Sequence, residues 1–505
     1  MSRAKGKFDY DVAILGAGSG GFAAARTAAG AGLKTVVIEG GKEVGGLCIL
    51  RGCMPSKALL YASEVLHLAR QAKTWGLRVP KTGFDFAKVM ARKDRMIEDF
   101  AGYRRKQLEN AKFKFIRANA RFTYPHTLEL SPVNPPLTPP RRGTRQCAPL
   151  SSLPSLEGLG VGSQQTLRAK HFVIATGSVV SAPPLPQLAE VGYITSDHAL
   201  TLKKLPKSLI VLGGGAIACE LAQFFARFDV KVTMIQRSPH ILREFDDDAG
   251  AAIETVLRRD GIRLFTGTKL LDAWRDGANK GVTFEQNGKR VRVKAEEILL
   301  CLGRTPNTAR LGLENAGVKL DGSRIIANAR MQTSAPHIFA AGDCTGPHEI
   351  VHIAIQQGEI AAKNIAQFPS LEGSGVGFTT DYRLLTSVVF TDPQVATVGL
   401  TEKEAAARKI SVLVASYPFN DHGKSLIMET LDGFVKLLAH PRTGEILGGA
   451  CVGPVGGELI HEIIAAMAKR MTVHELAVMP HYHPTLAEIW TYPAEELAEK
   501  IPKRR

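Results

Sequence analysis

The chain is short of several things, and each shortage excludes something. None of the apolar runs in its 505 residues reaches the roughly twenty positions a membrane helix needs, so no membrane-spanning role is expected. Seven cysteines, scattered along the chain, do not make the dense disulfide framework of a small secreted domain. The N-terminus carries Arg3, Lys5 and Lys7, but Asp9 and Asp11 follow at once, with no sustained apolar segment and no cleavage-like site. The expected address is the cytoplasm. Acidic residues are outnumbered, 48 against 64 lysines and arginines, for a formal net charge of +16. Part of the excess gathers at Arg104-Arg105-Lys106, Arg141-Arg142 and Lys503-Arg504-Arg505. It reads either as solvated surface or as a docking face for an acidic protein partner. Nucleic-acid binding would need a recognisable module, and the sequence has none.

What is present is ordinary in bulk and specific in detail. Hydrophobic content of 45% and charged content of 22% suit a globular protein, and 505 residues are too many for one core. The stretch Gly45-Gly46-Leu47-Cys48-Ile49-Leu50-Arg51-Gly52-Cys53-Met54-Pro55-Ser56-Lys57 holds two cysteines five positions apart. In continuous helix that spacing rises about 7.5 Å, too far for an easy disulfide. Gly52 lets the chain bend and Pro55 suits a first helical turn. Cys48 is therefore expected on a loop and Cys53 at a helix start, where the helix end favours a thiolate. A reducible, reactive bridge is one reading. A metal half-site or two unrelated buried cysteines are the others, although a zinc site needs a second matching pair that the chain lacks.

Two further stretches read as phosphate loops. Val12 to Leu15 is a short apolar run, followed by Gly16-Ala17-Gly18-Ser19-Gly20-Gly21, an Ala-rich helix to about Gly30, and a second strand, Thr35 to Ile38, ending at Glu39. Gly16, Gly18 and Gly21 supply the turn, the pyrophosphate approach and the helix packing. Glu39, 18 residues past Gly21, can take ribose hydroxyls. The pattern recurs as Leu209 to Leu212, then Gly213-Gly214-Gly215-Ala216-Ile217-Ala218, a helix carrying Cys219-Glu220, and a strand from Val230 to Ile235. Here Gln236-Arg237-Ser238, with Arg243 further on, stands where a carboxylate would read a ribose. Arginines there suit the 2′-phosphate of NADP; the alternative is two plain surface residues.

Helices are expected from Ala58 to Gln71, Phe86 to Ala111 and Ile353 to Ile365, with strands at Phe113–Ile116, Thr127–Leu130, Leu167–Ala175, Glu296–Leu302 and Ile338–Ala341. The fifth of these runs on through Gly342 to Asp343, the third ends in Ala175-Thr176-Gly177, and Gly303-Arg304-Thr305-Pro306-Asn307 reads as a turn. Seven prolines between Ser131 and Gly162 mark an insertion in a hairpin, read as a surface loop or a partner-facing one. Near the end, His481-Tyr482-His483-Pro484-Thr485-Leu486-Ala487-Glu488 sets histidine near carboxylate, as a general base needs; the alternative is a pair of metal ligands, although no Cys or Asp cluster joins them locally.

Together these motifs resemble the FAD-dependent pyridine nucleotide-disulfide oxidoreductases, over nearly the whole chain except the proline-rich insertion. The resemblance implies an α/β fold of two Rossmann-like dinucleotide-binding domains, for FAD and NAD(P), plus a C-terminal α+β dimerisation domain. It divides the chain into a first FAD part at 1–200 with the insertion at 131–162, an NAD(P) domain at 201–300, a second FAD or central part at 301–375, and a dimerisation domain at 376–505. By matched position Cys48 is similar to the thiol that exchanges with substrate and Cys53 to the thiol facing the flavin. Lys57 and Glu220 resemble the ion pair near flavin N5, Asp343 the residue on the ribityl chain, His483 the base and Glu488 its orienting acid. Gly46, Thr176, Gly177 and Gly303 join Gly16, Gly18, Gly21, Glu39, Lys57, Gly213, Gly215, Arg237, Arg243 and Asp343 as expected cofactor-binding residues, with no metal site. A homodimer is implied, since in this family the histidine comes from the other subunit. The substrate implied is a small dithiol or disulfide, or a lipoyl-protein.

Within the family, Pro-Ser-Lys-Ala-Leu-Leu and His-x-His-Pro-Thr-Leu-x-Glu resemble the lipoamide dehydrogenase branch, and Phe390 to Leu400 is similar to mercuric reductase. Leu47, and Leu50-Arg51, depart from the usual threonine and asparagine-valine and alter the wall around the cysteines. The uncharged Gln236 departs from the NAD-binding habit of the lipoamide branch and tips the expectation slightly toward NADP(H). The rival expectations are an NADPH-dependent reductase of a low-molecular-weight disulfide or of Hg(II), and a non-catalytic FAD-binding scaffold.

Overall fold

In the computed structural model of the chain, residues 8–133, 165–346, 348–367 and 377–502 are described. Most of the proline-rich insertion, with Arg141-Arg142, and the tail Lys503-Arg504-Arg505 lie outside the described residues, so the surface-loop and docking expectations there are not addressed. Two compact units emerge. One gathers the described residues of Met1–Pro55, Asp94–Ser181 and Arg304–Thr380; the other gathers Ser56–Lys93, Ala182–Gly303 and Asp381–Arg505.

The first unit is built on a parallel sheet. Tyr10–Leu15 lies between Thr35–Glu39 and Gln165–Ile174, with Lys114–Arg117 outside the former and Ile338–Ala340 beside the latter. Strand alternation divides the central residues between two cores. Val12 and Ile14 pack with Ala24, Ala28, Ile360 and Ala361, whereas Ala13 and Leu15 pack with Phe122, Leu128 and Phe172. Both faces are covered, which is why the strand reads as an unbroken apolar run. Each buried Val, Ile or Leu side chain among them contributes about 1.5–3 kcal/mol by leaving water. The long strand Gln165–Ile174 also pairs antiparallel with Thr127–Ser131, which in turn pairs with Asn119–Tyr124. The helix Ser19–Gly30 meets Val351–Gln367 closely: a Cβ on Gly358 would stand 2.2 Å from the Gly20 carbonyl oxygen.

The second unit repeats this logic. A five-stranded parallel sheet runs in the order Arg263–Phe265, Lys231–Ile235, Ser208–Leu212, Glu297–Leu300, Ile194–Thr195. Leu209 and Val211 face one core, Ile210 and Leu212 the other. The antiparallel meander Thr268–Asp276, Asn279–Gln286, Lys289–Ala295 shares the latter core through Ala273, Val282 and Phe284. The C-terminal part is a five-stranded antiparallel sheet, Thr386–Val389, Gln394–Gly399, Ile446–Gly453, Phe434–Ala439, Leu413–Pro418. Its Val435, Leu437 and Ala439 pack on Ile460, Ile463 and Met467 of the helix Gly456–Ala468 and on fully buried Trp490.

Two local expectations change. Cys48 lies in a one-turn helix, Leu47–Leu50, rather than on a loop. The segment after Gly303 is a short strand, Arg304–Pro306, rather than a turn, because Ser178–Val180 pairs with it antiparallel.

Candidate active site

In the first unit, Gly16 turns with φ +104°, where a Cβ would stand 2.4 Å from the Ala175 carbonyl oxygen. Gly18 begins the helix Ser19–Gly30 with no side-chain cap, so first-turn N–H groups are available to an anion. Glu39 closes the loop: Oε2 accepts from Ala17 N at 2.8 Å and Oε1 from Gly41 N at 2.5 Å. Gly46 lies against Gly18, with room for no Cβ, since one would stand 2.7 Å from the Gly18 Cα. The cysteine-bearing segment is thus seated on the phosphate loop. Thr176 Oγ1 is buried without a hydrogen-bond partner among the described residues. Beyond Gly177, the Ser178 hydroxyl donates to Asp343 Oδ2 at 2.7 Å and accepts from Arg304 Nε at 2.7 Å. Neither role is marked in the sequence, although Ser178 directly follows Ala175-Thr176-Gly177 and Arg304 lies within the Gly303–Asn307 segment. An orphaned buried hydroxyl beside a glycine cradle and a carboxylate fits a dinucleotide with polyol and phosphate groups.

The two cysteines of the Gly45–Lys57 stretch differ from the buried ones. Gly52 folds the chain back, so that its Cβ position is 3.2 Å from Cys48 Cα. Cys53 is the first residue of the helix Cys53–Arg70. Both are half-buried, whereas Cys219, Cys344 and Cys451 are buried and burial pushes their thiols up, Cys344 to about 12. Accessible thiolate chemistry is confined, among these, to the pair. Arg104 belongs to the basic run Arg104-Arg105-Lys106. Its guanidinium lies 4.1 Å over the Phe22 ring, with Nε buried and without a hydrogen-bond partner among the described residues, and burial lowers its pKa.

In the second unit Lys57, one turn along that helix, donates from Nζ to both oxygens of Glu220, at 3.0 and 2.9 Å. Glu220 is 4% exposed and also accepts from Phe390 N at 2.9 Å. Lys57 Nζ lies 4.6 Å over the Phe390 ring. The second loop turns at Gly213, φ +121°, and Gly215 begins the helix Ala216–Arg227 with open space around its Cβ position. Gln236 is nearly buried and its Oε1 accepts from Arg237 N at 3.1 Å. Arg237 is exposed, while Arg243 Nε donates to Glu244 at 3.1 Å in an exposed pair. Gly303 turns with φ +104° after the strand Glu297–Leu300.

The C-terminal motif separates its two histidines. His481 is tied down, Nε2 at 2.7 Å from Glu462 Oε1 and Nδ1 at 3.0 Å from the Met479 carbonyl oxygen. The His483 side chain is 78% exposed, with Nδ1 3.0 Å from Glu488 Oε2. Glu488 has a second neighbour, His422, which the sequence reading missed because nothing local marks it. Among the described residues no group of three or more His, Cys, Asp or Glu is placed to hold a metal, and no helix is long and apolar enough to cross a membrane.

Two nucleotide folds and a loop-seated cysteine pair define a redox protein built for two dinucleotides. Residues 10–358 match the pyridine nucleotide-disulphide oxidoreductase profile, and residues 385–494 match the dimerisation domain of the same proteins. Over 496 residues the chain is 34% identical to the dihydrolipoyl dehydrogenase of Thermus scotoductus, covering 97% of each. It is 33% identical to the mercuric reductase of Bacillus cereus, over 96% of this chain and 71% of that one. The crystal structure of LpdA from Mycobacterium tuberculosis superposes with a TM-score of 0.80 at 27% identity, over 96% of this chain and 99% of that one. The chain belongs to the pyridine nucleotide-disulphide oxidoreductase family, whose members use FAD and a nicotinamide dinucleotide.

Proposed function

We propose that this protein oxidises a dithiol, with dihydrolipoamide the first candidate, through the Cys48–Cys53 pair. The observation carrying this reading is the seating of the cysteine segment on the first phosphate loop, Gly46 against Gly18. In the first unit Gly16, Gly18, Gly21, Glu39, Gly46, Thr176, Gly177 and Asp343 would hold FAD. FAD, when bound, supplies two-electron exchange with the dithiol on one side and nicotinamide on the other. Lys57, on the helix Cys53–Arg70, keeps a charge pair with the nearly buried Glu220. The second loop, with Gly213, Gly215 and Gly303, takes the nicotinamide dinucleotide.

His483 serves as base. Glu488 engages Nδ1, so Nε2 accepts the proton of the incoming thiol. With the pair oxidised to a disulfide, the substrate thiolate attacks Cys48 Sγ, the Cys48–Cys53 bond breaks, and Cys53 leaves as thiolate. The second substrate thiol then closes the substrate disulfide and releases Cys48. The exposure of His483, and of Tyr482 at 85%, supports a homodimer in which this edge meets another copy. Buried cysteines suit a reducing compartment, the cytoplasm. An acidic docking partner draws less support: Arg104 lies on Phe22 and Arg105 pairs with Glu98, leaving Lys106 as the exposed member of that cluster.

Arg237 favours NADP(H). Arg243 can join it, because an exposed pair such as that with Glu244 is worth only about 0.2–1 kcal/mol. A second reading, an NADPH-dependent reductase of a small disulfide or of Hg(II), draws on the mercuric reductase likeness and on Arg51, which pairs with Glu43 beside the cysteines. Steady-state rates with dihydrolipoamide, glutathione disulfide and Hg(II), each with both nicotinamides, decide between them. Turnover of dihydrolipoamide that is lost in both Cys48→Ser and Cys53→Ser supports the first reading. Turnover surviving in either variant rules it out.

A further inference from the structure

The His483–Glu488 pair has a neighbour with no assigned task. His422 directly precedes the short helix Gly423–Met428 and is fully buried. Its Nε2, buried and without a hydrogen-bond partner among the described residues, stands 3.4 Å from Glu488 Oε1, and its Nδ1 lies 2.8 Å from Ser425 Oγ. The Phe419 and Tyr492 rings lie nearly perpendicular to it, with centroids 6.5 and 6.3 Å away. The charged groups acting on the ring are Glu488 and, beyond it, His483. Burial pushes His422 below the ordinary histidine range, which keeps it neutral at neutral pH.

A neutral ring carries one proton, and the neighbours decide where. A proton on Nδ1 would turn the Nε2 lone pair toward a carboxylate oxygen, which is repulsive. A proton on Nε2 lies on the Glu488 side of the ring, where the 3.4 Å contact with Oε1 is electrostatically favourable, and leaves Nδ1 to accept from the Ser425 hydroxyl. That tautomer sets a clamp. A carboxylate held at one oxygen turns freely about its last torsion, which has only broad wells. Glu488 is approached at both oxygens, by His422 at Oε1 and by His483 at Oε2.

We infer that His422 is a positioning residue for the base: it fixes Glu488 so that Oε2 stays on His483 Nδ1, and thereby keeps His483 Nε2 as the proton-accepting nitrogen. The inference rests on the proposed role of His483 and adds to it a residue 66 positions upstream of Glu488.

The test uses the FAD-loaded full chain. His422→Ala is expected to lower kcat for dihydrolipoamide oxidation about tenfold, the lower end of what losing an orienting partner costs, with KM within about twofold. Reduction of ferricyanide by the nicotinamide, which needs no thiol base, should be unchanged. His422→Gln, which restores an N–H toward Glu488, should recover most of the loss. In 15N spectra of histidine-labelled wild type, His422 should be neutral and protonated at Nε2, a readout that stands even if the alanine variant does not fold. Unchanged kcat in His422→Ala, an equal loss of ferricyanide reduction, or protonation at Nδ1 overturns the inference. His483→Ala in the same assay separates the two claims. If it is slow while His422→Ala is not, only the clamp fails. If His483→Ala itself turns over like wild type, the base assignment fails and takes the clamp with it.

Discussion

The chain builds one strand–loop–helix twice and finishes it in two ways. Both loops turn on a glycine with positive φ, Gly16 and Gly213, and at both a Cβ would meet a carbonyl oxygen, of Ala175 or of Cys301, at 2.4 or 2.2 Å. Beyond that they diverge. The first loop is closed by Gly46 pressed on Gly18, and its acid, Glu39, is bonded to two backbone N–H groups of the loop and its flank. The second is open at Gly215, and its counterpart to Glu39 is the neutral, nearly buried Gln236, beside exposed Arg237. The same sequence idea thus gives one enclosed, pre-wired cradle and one open, cation-flanked cradle. The first suits a resident group and the second an exchanging one.

The largest effect should come from closing the cradle wrongly. Gly46→Ala combines φ +80° with a Cβ 2.7 Å from Gly18 Cα, and should give protein lacking the flavin absorbance. Gly215→Ala, in open space at ordinary φ, should stay yellow and raise the nicotinamide KM by less than about tenfold. Equal flavin content in the two variants would break the comparison.

Glu39→Gln comes next. It replaces a charged acceptor by a neutral one, and hydrogen bonds to charged groups are worth roughly 1.5–3 kcal/mol, so FAD should bind about ten- to a hundredfold more weakly by equilibrium titration. The reciprocal change, Gln236→Glu, should leave FAD unaffected and shift kcat/KM toward NADH, since a carboxylate repels a 2′-phosphate. A Gln236→Glu protein with unaltered nicotinamide choice would mean that the second loop does not read the ribose here.

Smaller still is the double variant Arg237→Ala plus Arg243→Ala, expected to raise the NADPH KM about tenfold with NADH unchanged, because screening at an exposed site trims each charge-assisted bond. Arg243→Ala alone should change it less than about threefold, given its existing pair with Glu244. A larger effect from Arg243 than from Arg237 would reverse their assigned weights.

The sequence by itself determined the α/β class, the family and both glycine turns, and it marked the cysteine stretch and the histidine–carboxylate motif. Each is local: strand, glycine turn and helix start lie within about thirty positions, and propensity acts over that range. Only the tertiary structure decided which polar groups meet across the chain. Lys57 and Glu220 are 163 positions apart, Ser178 and Asp343 165. Glu462 binds His481 and leaves His483 exposed. Arg104, one basic residue in a run of three, lies on Phe22, and the segment after Gly303 is a strand because Ser178–Val180 lies alongside. Those outcomes depend on distance and desolvation between residues remote in sequence. Local pattern carries no record of either, so a buried histidine such as His422 stays invisible until its carboxylate is folded against it.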